Sequence, residues 1–228
     1  MRPTVLLFDI DGTLITTGGV GRRAIERAFR ERYGREDATR FPFDGMTDRL
    51  IARLGLEALG VAVTAEAIAE ILEFYVEVLA EEVARADAAL YRLHDGIAEA
   101  LVAAEARGHG IGLGTGNVRE GARIKLERLG VHEKFAFGGF GSDAEDRTEL
   151  IRHGAERGAA HLGKQREECR VVVIGDTPKD VAAAHGIGAE SIGVGTGSFG
   201  AQALRDCGAT FAFDSLAAPG ALAALLGD

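Results

Sequence analysis

Six polar residues each lie just after a short apolar run of the sequence: Asp9, Asp11, Thr115, Asn117, Asp176 and Asp180. Four of the six are carboxylates, which would repel each other strongly if they shared one dry site. A divalent cation removes that repulsion, and hard oxygen ligands favour magnesium among the common cations. The sequence therefore predicts a Mg²⁺ site built mainly from acidic side chains.

The pair Asp9 and Asp11 can divide the work of a phosphoryl transfer between two carboxylates. A carboxylate at the end of a strand can attack phosphorus and form an aspartyl phosphate. A second carboxylate two residues later can protonate the leaving oxygen and then activate water. Gly12 follows directly and lets the backbone turn sharply. A calcium loop of the EF-hand type is disfavoured, because an apolar strand precedes the aspartates and the glycine comes too early.

The apolar runs predict the strands that position these side chains. The four clearest strands are at residues 5–8, 110–114, 171–175 and 191–194, and two weaker ones are at 135–137 and 210–213. Helical patterns lie at residues 96–107, 119–129, 147–162, 181–185 and 201–207. Alternating strands and helices indicate an α/β fold with a doubly wound parallel sheet. In such a fold, ligands bind beyond the carboxyl ends of the strands.

Residues 20–89 interrupt this alternation. They contain three helical patterns, at residues 22–33, 48–59 and 65–86, and no strand pattern. We therefore predict an all-helical cap domain at residues 18–89, inserted into an α/β core that comprises residues 1–17 and 90–228.

The overall composition limits the possible partners. The chain has 228 residues, of which 46% are hydrophobic, so a sizeable core is expected. Its formal net charge of −9 argues against nucleic acid as a partner and requires local positive charge around any anionic substrate. The N-terminal apolar run is too short for a signal peptide or a membrane span, so we expect no membrane partner and a cytoplasmic location. The oligomeric state is left open.

Three segments resemble motifs of the haloacid dehalogenase superfamily of phosphohydrolases. Residues 9–14 (DIDGTL) look like its first motif, residues 113–117 (LGTGN) like its second, and residues 175–180 (GDTPKD) like its fourth. Their order and spacing agree with the family over essentially the whole chain, and the insert resembles the cap of its phosphoglycolate phosphatase-like branch. The resemblance implies a Mg²⁺-dependent phosphatase acting on a small-molecule phosphate ester.

The same resemblance implies roles for the four aspartates. Asp9 would be the nucleophile and Asp11 the general acid and base. Mg²⁺ would be held by the side chains of Asp9 and Asp176 and by the backbone carbonyl of Asp11, with Asp180 supporting the metal.

Substrate contacts are expected from the second motif and from the cap. The resemblance implies that Thr115 and the amide of Gly116 hold phosphate oxygens, and Asn117 is expected to contact the substrate. Thr47 and Asp48 look like the cap loop that faces the active site in this branch. An ordinary helix start is an equal alternative for Thr47 and Asp48.

The third motif of the family usually supplies a lysine that pairs with the nucleophile and the phosphate. Arg147 is the best match, and an arginine can bind phosphate through two nitrogens. Lys125 and Lys164 are rivals for this role, although both have the sequence context of surface residues.

Parts of the sequence are compatible with other functions. Residues 195–200 (GTGSFG) fit a dinucleotide-binding loop, but only fourteen residues follow Asp214, and a glycine-rich turn at a phosphatase rim explains them equally. A phosphomutase of the same superfamily and a non-catalytic binding protein stay open as alternatives. A dehalogenase is disfavoured because Asp11 supplies an acid that protonates an oxygen leaving group, whereas a halide leaves without protonation. Phosphonate hydrolysis would need a lysine in the cap to form a Schiff base with the substrate. It is disfavoured because residues 20–89 contain no lysine.

Overall fold

A computed structural model describes residues 2–228 of the chain. The strands are β1 (Thr4–Phe8), β2 (Ile15–Thr16), β3 (Arg92–Leu93), β4 (Gly110–Thr115), β5 (Phe137–Phe140), β6 (Arg170–Gly175), β7 (Glu190–Val194) and β8 (Phe211–Phe213). Six of them form one sheet in the order β5-β4-β1-β6-β7-β8, and every neighbouring pair is parallel. The predicted α/β fold class is confirmed.

The α-helices lie between these strands and in one insert. They are α1 (Val20–Tyr33), α2 (Asp48–Ala58), α3 (Ala65–Arg85), α4 (Ile97–Ala106), α5 (Arg119–Glu127), α6 (Arg147–His161), α7 (Pro178–Gly186), α8 (Ala201–Asp206) and α9 (Ala221–Leu226). Within residues 2–228, every helix is too short or too polar to cross a lipid bilayer.

Strand β1 shows why the sheet needs helices on both faces. Successive side chains of a strand point to opposite faces. Val5 and Leu7 pack in one hydrophobic cluster with α6 and α7, whereas Leu6 and Phe8 pack in another with α4 and α5. All four side chains are fully buried. A strand covered on both faces must be apolar at every position, which is why this run could be recognised from the sequence.

The insert between β2 and β3 consists of three helices, α1 to α3, and one short 3₁₀ turn. β2 and β3 pair antiparallel, with Ile15 opposite Leu93, and they join the two ends of the insert beside the sheet. The hydrophobic cluster on this side of the sheet continues into the insert, through Phe29, Leu56 and Leu79. The cap boundaries at residues 18 and 89 stay a prediction.

Three local features differ from the sequence-based expectation. The strand expected at residues 135–137 lies at Phe137–Phe140, because Gly139 lets α6 approach closely: a Cβ there would be 1.7 Å from the carbonyl oxygen of Leu150. Helix α7 begins earlier than expected, at Pro178, a residue suited to the first turn of a helix. The β2–β3 pair and α9 were not expected, because each is too short to give a clear pattern.

The strand order brings the proposed chemistry to one edge. β1 lies in the middle of the sheet, with β4 and β6 as its neighbours. The chain builds the sheet outward from β1 in both directions, which leaves a crevice at the carboxyl ends of these strands. Asp9 follows β1, Thr115 ends β4 and Asp176 follows β6, so all three meet at this edge.

Candidate active site

A cleft of about 480 Å³ lies between the carboxyl edge of the sheet and the helices of the insert. Seven of the ten site residues expected from the sequence line it: Asp9, Asp11, Asp48, Gly116, Asn117, Arg147 and Asp176. The other three, Thr47, Thr115 and Asp180, are buried behind the cleft wall. Thr115 and Asp180 are hydrogen-bonded to Asn117 and Arg147 of that wall, and Thr47 packs against Gly116. The predicted residues therefore surround one site.

Three carboxylates form a buried cluster in this cleft. One oxygen from each of Asp9, Asp176 and Asp180 can be chosen so that all lie within 4.8 Å of one another. Burial, followed by the nearby charges of Asp9 and Asp180, raises the pKa of Asp176 to about 8. Burial also raises the pKa of Asp9, although the Arg147 guanidinium opposes that rise. A cluster of acids whose ionised forms are this unfavourable is a suitable place for a cation.

The surroundings of Asp176 suit a metal ligand. Thr13 Oγ1 donates a hydrogen bond of 3.0 Å to Asp176 Oδ1, which fixes the carboxylate. A Cβ at Gly12 would lie 2.4 Å from Asp176 Oδ2, and one at Gly197 only 1.7 Å from it. Only glycine at these two positions leaves room for the carboxylate, and Gly12 also has a φ of 80°, which favours glycine. This set of hard oxygen donors fits a divalent cation such as Mg²⁺.

Asp180 differs from the other two acids because both of its oxygens are already engaged. Oδ2 accepts hydrogen bonds from the backbone N–H and the hydroxyl of Thr177, which together close the first turn of α7. Oδ1 accepts a hydrogen bond of 2.9 Å from Arg147 Nε. Asp180 therefore orients Arg147, and its carboxylate oxygens are less available to a metal than those of Asp9 and Asp176.

Arg147 places a positive charge beside the proposed nucleophile. It is the first residue of α6 and is 8% exposed. Its Nη2 lies 3.1 Å from Asp9 Oδ2 and also faces Asp180, but makes no hydrogen bond of good geometry. Burial alone would lower the pKa of Arg147, yet Asp180 and Asp9 raise it above the usual value. Nη2 therefore lies between the two carboxylates, at the wall of the cleft. Lys164, the weaker rival, is exposed and lies outside the cleft.

The expectation that Lys125 is a surface residue is wrong. Lys125 is 2% exposed, and its Nζ donates hydrogen bonds to Asp11 Oδ2 and Asn117 Oδ1, each at 2.6 Å. The sequence contained a signal for this burial: Lys125 lies three and four residues after Ala122 and Gly121, on the same buried face of α5.

The second motif forms one hydrogen-bonded group with Asp11. Asn117 Nδ2 donates to Asp11 Oδ2 and to Thr115 Oγ1, both at 2.9 Å. Because Asn117 Oδ1 accepts from Lys125, the whole amide is engaged with protein partners. Asn117 therefore holds other groups of the site in place, which differs from the substrate contact expected for it.

The cap loop contacts the core directly. Thr47 Oγ1 accepts a hydrogen bond from the Leu50 N–H at the start of α2, so Thr47 is an N-cap residue. Asp48 Oδ2 accepts a hydrogen bond of 2.8 Å from the Val118 N–H, and the Asp48 N–H donates to the Gly116 carbonyl. A Cβ at Gly116 would lie 2.3 Å from the Met46 carbonyl oxygen. The loop thus closes one side of the cleft, and Asp48 lines the cleft there.

The glycine-rich segment at residues 195–200 lies at the rim of the same cleft. Thr196 Oγ1 donates a hydrogen bond of 2.5 Å to the Gly12 carbonyl, and Gly197 lies against Asp176. The helix that follows, α8, has six residues. This placement favours a turn that completes the rim of the cleft, rather than a dinucleotide-binding loop.

The raised pKa of Asp176 predicts how the effect of a bound divalent cation on stability would depend on pH. Without metal, folded Asp176 keeps a proton up to about pH 8, whereas the unfolded chain loses it near pH 3.8. Folding then takes up a proton, so the stability of the metal-free protein falls as the pH rises between these values. Because a cation bound at Asp176 would compete with that proton, the increase in Tm with Mg²⁺ is expected to be larger at pH 8 than at pH 6.

Differential scanning fluorimetry with and without Mg²⁺ measures this effect directly. Asp176→Asn is expected to lose most of the Mg²⁺-dependent rise in Tm. Asp95→Asn is the matched control, because the Asp95 side chain is 81% exposed, and it should behave like the wild type. An equal Mg²⁺ effect in Asp176→Asn and wild type would place the metal elsewhere.

Comparison with known proteins gives a family model and a set of similar folds. The family model described as haloacid dehalogenase-like hydrolase matches residues 3–188. No curated protein sequence matches the chain.

Solved structures share the fold at low sequence identity. CbbY from Rhodobacter sphaeroides in complex with phosphate has a TM-score of 0.72 and 20% identity, over 97% of this chain and 99% of that chain. A mutant of the same protein in complex with xylulose-(1,5)bisphosphate also has a TM-score of 0.72 and 20% identity, over 96% and 97% of the two chains. A predicted phosphoglycolate phosphatase from Haemophilus somnus 129pt has a TM-score of 0.68 and 16% identity, over 95% and 96%.

Proposed function

The chain belongs to the haloacid dehalogenase-like hydrolase family, and from this we propose that it is a Mg²⁺-dependent phosphatase of small phosphate monoesters. The observation that carries the proposal is the buried cluster of Asp9, Asp176 and Asp180 with Arg147 beside Asp9 at the carboxyl edge of the sheet. This arrangement combines a nucleophile, oxygen ligands for a metal and a fixed cation within one cleft.

In the first step, an oxygen of Asp9 forms a bond to phosphorus as the bond between phosphorus and the ester oxygen breaks. The electron pair of that bond goes to the ester oxygen, which takes a proton from Asp11 and leaves as an alcohol. Asp9 ends this step as an aspartyl phosphate. Arg147 Nη2 is close enough to Asp9 to bind an oxygen of the transferring group as its charge develops.

In the second step, water attacks the phosphorus while Asp11 takes the water proton. The bond between phosphorus and the Asp9 oxygen breaks, which releases inorganic phosphate and returns both carboxylates to their starting states. Asp9 and Asp176 would hold Mg²⁺, with the Asp11 carbonyl as a further ligand and Asp180 in support. Bound Mg²⁺ would supply charge neutralisation for the phosphoryl oxygens.

The cleft and the structural neighbours support a small phosphate ester as the substrate class. A volume of about 480 Å³ accommodates a small phosphate ester. Among the similar structures, one is described as a predicted phosphoglycolate phosphatase, and CbbY binds phosphate and a sugar bisphosphate. We propose a phosphoglycolate-like ester as the substrate, with the cap loop around Asp48 contributing to the choice among esters.

A screen of small phosphate esters with released phosphate as the readout tests the proposal. Phosphoglycolate and a set of sugar phosphates are assayed with Mg²⁺, with excess chelator, and with Mg²⁺ restored. We expect hydrolysis that stops with the chelator and returns with the metal. Activity that persists in excess chelator would contradict the metal requirement, and an isomerised phosphate ester needing a bisphosphate activator would indicate a phosphomutase.

A further inference from the structure

Lys125 is a buried cation that the two chemical steps above do not use. Its side chain is 3% exposed, yet it carries a charge at the junction of the sheet edge and the insert. Burying a charge is costly unless partners replace the lost water. Lys125 has such partners, since its Nζ donates to Asp11 Oδ2 and Asn117 Oδ1 at 2.6 Å each. The position of Lys125 Nζ is therefore fixed by hydrogen bonds to active-site residues, and not by contact with solvent.

Neighbouring residues are shaped to keep Lys125 in this place. The Tyr91 hydroxyl donates a hydrogen bond of 2.8 Å to the backbone carbonyl of Lys125, which anchors this turn of α5. At the other end of the side chain, a Cβ at Gly21 would lie 3.1 Å from Lys125 Nζ. The first turn of α1 thus leaves just enough space for the ammonium group. Both the insert and the core contribute to this pocket.

The contacts of Asp11 are one-sided. Its Oδ2 accepts hydrogen bonds from Lys125 Nζ at 2.6 Å and from Asn117 Nδ2 at 2.9 Å. Its Oδ1 has no hydrogen-bond partner among residues 2–228, and the side chain is 43% exposed in the cleft. Two donors on one oxygen fix the plane of the carboxylate and leave the other oxygen free for the reaction.

We propose that Lys125 is a positioning residue that holds Asp11 in the orientation needed for proton transfer in both steps. The inference rests on the proposed function, because it gives Lys125 a role in the same active site. Lys125 acts through Asp11, whereas Arg147 acts on Asp9 and the phosphoryl group. Lys125 and Arg147 are both buried at the cleft, and they thus form ion pairs with different carboxylates.

Pre-steady-state kinetics of Lys125→Met with p-nitrophenyl phosphate test this role. p-Nitrophenolate leaves without protonation, so the first step should survive the substitution. The second step still needs Asp11 to activate water, so it should slow about 100-fold. We expect a rapid burst of about one p-nitrophenolate per enzyme, followed by slow turnover. Lys134→Met is the matched control, since Lys134 is a half-exposed lysine paired with Glu105.

A double-mutant cycle separates positioning from a purely structural contribution. If Lys125 acts only through Asp11, Lys125→Met should change turnover by less than about threefold in an Asp11→Asn background. The double variant also removes both partners of the ion pair, so it leaves no unpaired carboxylate and stays informative where the single variant folds poorly. Circular dichroism checks the folding of each variant.

The outcomes distinguish this inference from the proposed function. No turnover by the wild type with any ester would overturn the proposed function itself. With an active wild type, normal kinetics in Lys125→Met, a uniform loss without a burst, or losses that multiply in the double variant would overturn only the positioning role. A burst with slow turnover, together with non-additive losses, supports it.

Discussion

Replacing Asp9 with asparagine is expected to lower turnover by about 10⁴-fold or more, because the amide cannot attack phosphorus. The fold should persist. Asp9 is a buried acid whose pKa is raised by burial, so a neutral amide of the same shape relieves repulsion with Asp176 and Asp180. We expect the Tm of metal-free Asp9→Asn to equal or exceed that of the wild type. Steady-state phosphate release and a thermal melt measure the two effects.

The control for this substitution is a similar change outside the cleft. Asp95→Asn also converts an aspartate to an asparagine, but Asp95 lies in the exposed turn before α4. It should keep wild-type turnover. A folded Asp9→Asn protein with turnover within tenfold of the wild type would refute Asp9 as the nucleophile.

Removing the Arg147 side chain is expected to cause the second large effect. Arg147→Ala leaves Asp9 and Asp180 without their shared cation, and a phosphate entering the cleft would add further negative charge. Loss of one such charge-assisted contact in the transition state costs about 3–4 kcal/mol, which is roughly a hundredfold or more in rate. Arg147→Lys should recover part of the rate, because it keeps the charge but loses the planar group that contacts both carboxylates.

Kinetics of Arg147 variants need a control on the same helix. Arg157 also lies on α6 and pairs with a carboxylate, that of Asp143, but it is outside the cleft. Arg157→Ala should therefore leave kcat and KM close to the wild-type values while lowering Tm slightly. If Arg147→Ala had wild-type kinetics, Arg147 would have no part in binding the phosphoryl group.

Strands and the active-site edge were predictable because their signals are local. A parallel strand covered on both faces is apolar throughout, so Val5–Phe8 and the run before Asp176 could be read without knowledge of their neighbours. The carboxyl ends of parallel strands meet at one edge, which placed Asp9 and Asp176 together. Strand β5 was misplaced because its two central glycines give no apolar pattern and reflect instead the close approach of α6.

The partners of the charged groups, in contrast, could not be predicted from the sequence. Thr13 and Asp176 are 163 residues apart, and Lys125 and Asp11 are 114 residues apart. No periodic pattern links such positions. A lysine on a short helix is usually solvated, so Lys125 was expected at the surface although it lies on the buried face of α5.

The sequence by itself determined the α/β fold, the identity of the acidic residues and the edge of the sheet at which they meet. Those features depend on hydrophobic periodicity and on polar residues that directly follow strands, both of which are visible over a few residues. Only the tertiary structure decided which cation serves which carboxylate: Arg147 lies against Asp9 and Asp180, and Lys125 against Asp11. The physical reason is that a buried charge must find its partner across the fold, where packing rather than sequence separation sets the distance.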